Sequence, residues 1–325
     1  MNAPGPSNSI CDVPGIRVGH AEDRALVTGT SVILPEAPCV AAVDHRGGGI
    51  GARDTVLLGA GSAVPVVHAI CLSGGSAYGL DASGGVMHGM RMDGIGLPVK
   101  SEIVPIVPQA ILFDLIIGGP KEWERPPWWD LGLAAYRAAT DATPLGNVGA
   151  GLGATAGPLK GGFGTASLVD DTVTVGAVAA SNSVGEVLVP GSTTFRGWML
   201  ERDDELGGQA PPAGMVPETG HSTAPIGSNT TLAVVATDAR LTRDQAYRVA
   251  IMAQDGLALT TRPVHSPMDG DTVFVLSTGA RDIGDDAGAL TRIGTMASDC
   301  VARAIMRGVY EAGALAGYPA YRDLV

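Results

Sequence analysis

The sequence predicts a mixed α/β fold in which helices cover β-sheets, and three observations support this prediction. Short apolar runs rich in β-branched residues are bounded by Gly, Pro, Asn or Asp, as is typical of buried strands. Longer segments carry apolar residues at the 3.6-residue period of helices. Strands and helices alternate irregularly, which favours sheets covered by helices over a strict βαβ series.

The predicted elements follow one another along the whole chain. The strands are 39–43, 66–72, 110–116, 173–180, 232–237 and 272–277. The helices are 77–92, 131–142, 242–258 and 288–313. The third helix begins at Thr242, which with Gln245 has the spacing of a capping box. Because there is no internal repeat and no second independent core, we expect a single domain over 1–325.

The composition excludes several classes of protein. A chain of 325 residues with 45% hydrophobic content can bury a sizeable core. The formal net charge of -12 repels nucleic-acid phosphates and anionic lipid surfaces. The start of the sequence lacks the features of a signal peptide, and no apolar run reaches membrane-spanning length. We therefore expect a soluble, cytoplasmic protein without nucleic-acid or membrane partners.

No cofactor or metal site is indicated by the sequence. The four cysteines form neither a CxxC pair nor a Cys/His cluster, and we expect buried thiols at Cys11, Cys39, Cys71 and Cys300. The Gly-rich stretch 146–163 is not a phosphate-binding loop, because Lys160 is followed by Gly161 where Ser or Thr is needed. The histidines show no HExxH motif and no paired spacing.

One break in composition precedes the last third of the chain. Residues 201–228 begin with acidic residues, continue with Pro, Gly and Thr, and show no periodicity, which predicts an exposed linker. The linker ends at NTTLAVVATDA (229–239), a predicted buried strand whose first residues carry hydroxyl groups. Thr230 therefore stands where a mobile linker meets a rigid strand.

This position makes Thr230 a candidate nucleophile for autoproteolysis. Its hydroxyl can attack the carbonyl of Asn229, and hydrolysis of the resulting ester frees the α-amine of Thr230. Because such an amine has an unperturbed pKa of about 7.7–8.0, it can accept a proton from the hydroxyl of the same residue. The alternative is that Thr230 and Thr231 are ordinary residues at the edge of a strand.

Seven blocks spread over nearly the entire chain carry a family resemblance. They are DVPGIRVGH (12–20), AAVDHRGGGIGARDT (41–55), ICLSGGSAYGLDASGGVM (70–87), VPIVPQAILFDL (104–115), GNVGAGLGATAGPLKGGFGTAS (146–167), NTTLAVVATDA (229–239) and HSPMDGDTVF (265–274). In this order they resemble the DmpA-like self-processing aminopeptidases, also called peptidase family P1. The resemblance is strongest to the branch of the nylon-oligomer hydrolases, which are N-terminal-nucleophile hydrolases.

The resemblance implies the fold, the processing and the assembly. It implies a four-layer αββα sandwich of the DmpA and ornithine acetyltransferase type, with two β-sheets between helical layers. It implies cleavage between Asn229 and Thr230 into an α chain 1–229 and a β chain 230–325, and a homotetramer of αβ units. Ser228 is a rival, because some members cleave before serine, but Thr230 stands at the family nucleophile's distance from the ATDA segment.

The resemblance implies three further site residues, each by its position in a block that matches the family. Asn182 matches the family's oxyanion-hole amide, and the alternative is an asparagine in a turn. Tyr78 matches a tyrosine that lines the site and can donate to the oxyanion or the substrate, with core packing as the alternative. Lys160 matches a lysine near the nucleophile whose charge helps to keep the α-amine neutral, and the alternative is a solvated lysine in a turn.

Two acids and a group of tryptophans complete the candidates. Asp269 and Asp271 match paired acids that orient the new amino terminus or bind a cationic end of the substrate, and the alternative is a hairpin turn. Without a supporting His or third acid they make a poor metal site. Trp123, Trp128 and Trp129 lie in an apparent loop that lines the substrate site or an oligomer contact, with partial burial in the subunit as the alternative.

The predicted function is hydrolysis of linear amide bonds through Thr230, with an acyl-enzyme intermediate, water as the acceptor and no cofactor. The resemblance implies aminopeptidase or amidase action on short peptides and peptide-like amides, including those with D- or β-residues. Endo-type cleavage of 6-aminohexanoate oligomers is the alternative. Two further alternatives are an acyltransferase similar to ornithine acetyltransferase and a non-enzymatic scaffold.

Overall fold

A computed structural model describes residues 2–214 and 229–325. The strands in these ranges are β1 (Ile16–Asp23), β2 (Thr28–Pro35), β3 (Val40–His45), β4 (Ala52–Arg53), β5 (Ile70–Ser73), β6 (Leu97–Val99), β7 (Glu102–Val104), β8 (Gln109–Ile111), β9 (Thr155–Ala156), β10 (Leu159–Lys160), β11 (Gly162–Val169), β12 (Thr174–Ser181), β13 (Leu232–Arg240) and β14 (Thr272–Asp282). The α-helices are α1 (Ala82–Met92), α2 (Trp128–Arg137), α3 (Arg243–Ala253), α4 (Asp255–Thr260) and α5 (Ala287–Tyr310).

Most strands belong to two five-stranded sheets. The first has the order β1-β2-β5-β8-β4 and the second the order β11-β12-β13-β14-β3. In each sheet one neighbouring pair is parallel, β5 with β8 and β13 with β14, and the remaining pairs are antiparallel. The parallel pair in the second sheet brings the start of β13 beside the start of β14.

Side-chain alternation along β13 shows how the layers are built. Leu232 and Val234 enter a core shared by the two sheets, whereas Ala233 and Val235 enter a core shared with α3, α4 and α5. A third core lies between the first sheet and the helices α1 and α2. The result is a four-layer arrangement of helices, sheet, sheet and helices, so the predicted fold class is confirmed. None of the helices in the two described ranges is long and apolar enough to cross a membrane.

The sequence pattern located most elements and missed some. The helix expected at 242–258 is divided into α3 and α4, and the predicted capping box is present: Thr242 Oγ1 accepts from the N–H of Gln245 and the Gln245 side chain accepts from the N–H of Thr242. The strands that were not predicted are β1, β2, β4, β6, β7, β9, β10 and β11. In β11 the apolar signal is weak because small residues are needed for close packing: a Cβ on Gly164 would lie 2.0 Å from the carbonyl oxygen of Ala304 in α5.

The beginning of the predicted linker is packed rather than exposed. Leu206 is buried in the core that α5 covers, and the buried carboxylate of Glu205 pairs with Arg303 of α5. The expectation of an exposed segment therefore does not hold for these two linker residues, because α5 offers them an apolar face and a buried cation. Residues 215–228, including the rival nucleophile Ser228, lie outside the described part of the chain.

Candidate active site

Strand register places Thr230 between two neighbouring strands. The antiparallel register of β12 with β13, continued past the ends of the strands, brings Asn182 opposite Thr230. The N–H of Thr230 donates to the carbonyl oxygen of Asn182. On the other side, the parallel register of β13 with β14 brings Gly270 beside Thr230, and a Cβ on Gly270 would lie 2.6 Å from Thr230 Oγ1. The absence of a side chain at Gly270 thus gives the threonine side chain its space.

The hydroxyl of Thr230 is buried against the carbonyl group that precedes it. The residue is 3% exposed, and Oγ1 donates to the carbonyl oxygen of Asn229 over 2.5 Å. Burial keeps bulk water away from the hydroxyl. The group is held beside the carbonyl that an autoproteolytic attack requires.

Asn182 is fully buried, and both ends of its side-chain amide are engaged. Oδ1 accepts from the backbone N–H of Thr155 at 2.9 Å and from its hydroxyl at 3.4 Å. Nδ2 donates to the carbonyl oxygen of Phe113 at 3.3 Å. Because Nδ2 carries two hydrogens, this contact uses one of its two N–H donors. The amide therefore has a fixed orientation beside Thr230, unlike an asparagine in an exposed turn.

Asp271 binds the backbone immediately after the candidate nucleophile. Its Oδ1 accepts from the N–H of Thr231 at 2.9 Å. Its Oδ2 accepts from the backbone N–H of His265 at 3.0 Å and lies 2.9 Å from Nδ1 of the same histidine. The carboxylate is buried, so its hydrogen bonds replace lost solvation. Asp271 thereby fixes the chain that carries Thr230.

Asp269 makes a matching contact to the segment that carries Asn182. Its Oδ1 accepts from the N–H of Val184 at 3.2 Å, and its Oδ2 accepts from the hydroxyl of Ser266 at 2.6 Å. Burial raises the pKa of Asp269, and the nearby charge of Asp271 raises it further. The two acids therefore lie inside the site and support its two neighbouring strands, rather than forming an exposed hairpin turn.

Lys160 is buried, and a cage of backbone carbonyls surrounds its amine. Nζ donates to the carbonyl oxygens of Gly151 at 3.0 Å, Ala154 at 2.7 Å and Gly161 at 2.7 Å. Burial lowers the pKa of Lys160 to about 7, and the charge of Asp114 opposes this shift. The hydrogen bonds of the described residues link Lys160 to this cage and not to Thr230. Lys160 thus braces the hairpin β9/β10, whose Thr155 holds Asn182.

Asp114 is a buried residue of the site that the sequence analysis did not single out. Its Oδ2 accepts from the hydroxyl of Thr28 at 2.6 Å, and its Oδ1 accepts from the N–H of Gly75 at 2.8 Å. Burial raises its pKa, while its charge favours the protonated form of Lys160. The sequence feature that could have identified Asp114 is its position as the single carboxylate within the apolar run 110–116. A buried acid needs hydrogen-bond or charge partners, so such a position indicates a polar network in the core.

Tyr78, Trp123 and Trp128 form an aromatic cluster, whereas Trp129 lies against His88. Tyr78 is 53% exposed, and its ring centroid lies 5.6 Å from that of Trp123 and 6.5 Å from that of Trp128. Trp128 is buried and donates through Nε1 to the hydroxyl of Thr28 at 3.2 Å. The structure therefore connects Tyr78 to the site through Trp128, Thr28 and Asp114, and no hydrogen bond joins Tyr78 to Thr230 among the described residues.

Comparison with known proteins agrees with this architecture. The sequence matches the model of peptidase family S58 over residues 8–322. This chain belongs to peptidase family S58. The resemblance to the DmpA-like aminopeptidases is confirmed, and the S58 chain is a hydrolase that acts on amide bonds.

Curated relatives of this S58 chain fall into two groups. An uncharacterized aminopeptidase of Mycobacterium tuberculosis is 44% identical, over 98% of this chain and 98% of the relative. A 6-aminohexanoate-oligomer endohydrolase of Agromyces sp. is 29% identical, over 91% of this chain and 84% of the relative. The two groups correspond to the aminopeptidase interpretation and to its nylon-oligomer alternative.

Solved structures share the fold of the S58 chain. A beta-aminopeptidase from Burkholderia sp. has a TM-score of 0.71 at 22% identity, covering 98% of this chain and 91% of that one. The L-aminopeptidase D-Ala-esterase/amidase from Ochrobactrum anthropi, described as a variant of the Ntn-hydrolase fold, has a TM-score of 0.70 at 19% identity, covering 96% and 88%. The fold is therefore that of an N-terminal-nucleophile hydrolase.

Proposed function

We propose that the S58 chain cleaves itself between Asn229 and Thr230 and then acts as an N-terminal threonine aminopeptidase or amidase on short peptides and peptide-like amides. One observation carries this proposal: the buried hydroxyl of Thr230 lies 2.5 Å from the carbonyl oxygen of Asn229. The neighbours of Thr230 supply an amide donor and two carboxylates. The amide can stabilise an oxyanion, and the carboxylates hold the backbone segments that carry Asn182 and Thr230.

Self-cleavage begins when Thr230 Oγ1 attacks the carbonyl carbon of Asn229. The proton of the hydroxyl passes to the amide nitrogen of Thr230, which leaves as the free α-amine when the ester forms. Water then hydrolyses the ester to give the carboxylate of Asn229 and to restore the hydroxyl of Thr230. The carbonyl oxygen of Asn182, which accepts from this nitrogen in the unprocessed chain, remains a hydrogen-bond partner for the new amine. The amine can then take the proton of the Thr230 hydroxyl during catalysis.

Substrate hydrolysis uses the same residues. Thr230 Oγ1 attacks the substrate carbonyl, the amine of the substrate leaves, and water releases the acyl group from the threonine ester. Asn182 Nδ2 donates to the oxyanion of each tetrahedral intermediate, and such a donor contributes about 2.7–4 kcal/mol to transition-state stabilisation. Asp271 and Asp269 hold the segments that carry Thr230 and Asn182.

Lys160 and Tyr78 have supporting roles in this proposal. Lys160 fixes the hairpin whose Thr155 orients the Asn182 amide, so it acts on the oxyanion donor rather than by contact with Thr230. The exposed ring of Tyr78, beside Trp123, offers a contact for the part of the substrate away from the scissile bond. In this proposal neither residue takes part in making or breaking a bond. Each affects the rate by positioning other groups, so each should affect it less than Thr230 does.

The aminopeptidase interpretation is favoured over the nylon-oligomer alternative because the aminopeptidase relatives are more similar, at 44% against 29% identity. Hydrolysis of a series of short peptide amides and of linear 6-aminohexanoate oligomers under identical conditions separates the two. Release of product with water as the sole acceptor separates both from an acyltransferase.

We further propose that αβ units form a homotetramer and that this tetramer is cytoplasmic. Sedimentation equilibrium tests the number of subunits, and cell fractionation tests the location.

The test of the mechanism is an intact-mass measurement on the purified protein. We expect two fragments, the smaller beginning Thr-Thr-Leu-Ala-Val. A smaller fragment that begins at Ser228 would move the nucleophile to that residue. A single intact chain with full amidase activity would overturn the proposed mechanism.

A further inference from the structure

His265 contacts the same oxygen of Asp271 with two donors. Its backbone N–H donates to Asp271 Oδ2 at 3.0 Å, and its ring Nδ1 lies 2.9 Å from that oxygen. The other oxygen, Oδ1, accepts from the N–H of Thr231. Both oxygens of the carboxylate are therefore occupied, which fixes its rotamer. The ring is 22% exposed and the carboxylate 2%, so His265 lies on the outer side of a buried acid.

The backbone of His265 is held in an unfavourable conformation. Its φ is +53°, in the left-handed region that residues other than glycine seldom adopt. Such conformations persist only where the surrounding structure determines them, and they concentrate at functional sites. Here the conformation has an identifiable result, since it directs the N–H and the ring of one residue to a single carboxylate oxygen.

We propose that His265 is a positioning residue of the active site, which orients Thr230 by fixing Asp271 and, through it, the Thr231 amide. The inference rests on the proposed role of Thr230 as nucleophile. While Asp271 is ionised, Nδ1 carries the hydrogen, in either the neutral Nδ1–H tautomer or the imidazolium. His265 therefore acts as a donor and neither attacks the substrate nor takes its proton.

The neighbouring Ser266 provides an internal comparison. Its hydroxyl and N–H bind Asp269, and Asp269 binds the N–H of Val184 in the segment after Asn182. The adjacent residues His265 and Ser266 thus secure different acids, and these acids bind the segment before β13 and the segment after β12. Loss of the His265 ring should disturb the strand of Thr230 and leave the contact between Asp269 and Val184 unchanged.

A matched set of variants tests the donor itself. His265→Gly removes the ring, keeps the backbone N–H and adopts a φ of +53° without strain. His265→Asn places Nδ2 where Nδ1 lies, and asparagine tolerates this φ. We expect His265→Gly to slow self-cleavage and lower kcat by at least about tenfold with little change in KM, because misplacement of a nucleophile is costly. His265→Asn should restore most of both rates.

The control is His88→Asn, which changes an exposed histidine of α1, and we expect wild-type rates from it. Thermal unfolding of each variant separates positioning from stability, since a structural role would lower Tm and leave the kcat of folded enzyme unchanged. Wild-type cleavage and turnover in His265→Gly would overturn the proposal. Equal losses in the glycine and asparagine variants would also overturn it, because asparagine restores the donor.

A second readout does not depend on catalysis. In the Thr230→Ala background, we would measure amide hydrogen exchange at Thr231 and Val184 with and without His265→Gly. We expect exchange to accelerate at Thr231 and to stay unchanged at Val184. Unchanged exchange at Thr231 would overturn the inference. If the wild type neither cleaves nor hydrolyses amides, the proposed function fails, while this exchange comparison still decides the role of His265.

Discussion

The backbone N–H of Thr230 donates to the carbonyl oxygen of Asn182, at the point where the antiparallel strands β12 and β13 leave their ladder. The side-chain amide of the same asparagine is held by Thr155 and Phe113. A single residue therefore positions the proposed nucleophile through its backbone and presents an amide donor through its side chain. Substitution can separate these two functions, because it removes only the side chain.

Asn182→Ala should lower kcat by about 10²–10³-fold, because the lost donor acts on charge that develops in the transition state. The free energy of unfolding should fall by about 1–3 kcal/mol, since the N–H of Thr155 loses its acceptor in a buried site. Steady-state kinetics and urea unfolding measure the two effects. Unchanged activity, or activity lost only together with the fold, would contradict the oxyanion role.

Gly270→Ala should block self-cleavage in a folded protein. A Cβ at this position would lie 2.6 Å from Thr230 Oγ1 and 2.7 Å from the carbonyl oxygen of Gly49, so the threonine side chain must move. The control is Gly49→Ala, whose Cβ would meet its nearest neighbour, the carbonyl oxygen of Asp269, at 3.5 Å, an ordinary van der Waals contact. Electrophoresis of freshly folded protein shows the extent of cleavage. Equal processing of both variants would disprove the steric argument.

Thr230 itself should tolerate serine better than alanine. Thr230→Ala removes the hydroxyl and should remain a folded, uncleaved and inactive precursor. Thr230→Ser keeps the hydroxyl but loses the methyl group that restricts χ1, so we expect slower processing with residual activity. Time courses of cleavage by mass spectrometry, with circular dichroism as the check on folding, measure this. Cleavage in the alanine variant at the same bond would exclude Thr230 as the nucleophile.

Much of this candidate site could be predicted from the sequence, because the register of neighbouring strands brings its residues together. A hydroxyl residue at the start of β13 and an acidic pair just before β14 come together once these strands are parallel neighbours. Asn182 joins them because β12 is the antiparallel neighbour of β13. Family resemblance supplied the positions, and short strands with strong apolar patterns located them in the fold.

The remaining features depend on tertiary packing that local sequence does not encode. Lys160 follows a Gly-rich turn and has the sequence context of a solvated lysine, but the carbonyls of Gly151, Ala154 and Gly161 converge on its amine. Glu205 lies in a segment with the composition of an exposed linker, but α5 supplies a buried arginine. In both cases the partners lie on other elements or across a turn, so composition alone gives the wrong environment.

Lys160 should make stability depend on pH in the alkaline range. Burial lowers its folded pKa from 10.5 to about 7, so between these values the unfolded chain binds more protons and stability rises with pH. The slope reaches at most about 1.4 kcal/mol per pH unit. The charge of Asp114 favours the ammonium, so it limits the shift and thereby the pH range over which stability changes. Urea unfolding at pH 7 to about 9.5 compares wild type with Lys160→Met and with exposed Lys100→Met. Equal slopes in wild type and Lys160→Met would contradict the lowered pKa.

A buried ion pair should hold the two processed chains together. Glu205 belongs to the proposed α chain and Arg303 to the β chain, and Arg303 Nε lies 2.5 Å from Glu205 Oε1 with both side chains buried. Asn8 of the α chain accepts from the same guanidinium at 2.8 Å. Arg307 Nε lies 3.4 Å from Glu205 Oε2, so Glu205 keeps one nearby cation when Arg303 is removed. The removal is still costly, because the buried carboxylate loses the two hydrogen bonds that Arg303 donates to it, even where the net contribution of the pair to stability is small.

Arg303→Met should therefore lower the free energy of unfolding by at most about 3–5 kcal/mol, because Arg307 stays beside Glu205. Arg303→Met combined with Glu205→Leu should recover part of that loss, because it leaves Arg307 without this carboxylate. The control is the exposed pair of Arg91 and Glu102, with side chains 62% and 61% exposed, where Arg91→Met should cost about 1 kcal/mol or less. Urea unfolding of the uncleaved Thr230→Ala background gives these values free of chain dissociation. In the processed protein, unfolding should depend on protein concentration because the two chains separate, and Arg303→Met should lower the unfolding midpoint below that of the processed wild type at every concentration. If the double substitution were as unstable as Arg303→Met alone, the loss would reflect packing of the arginine side chain rather than its pairing with Glu205.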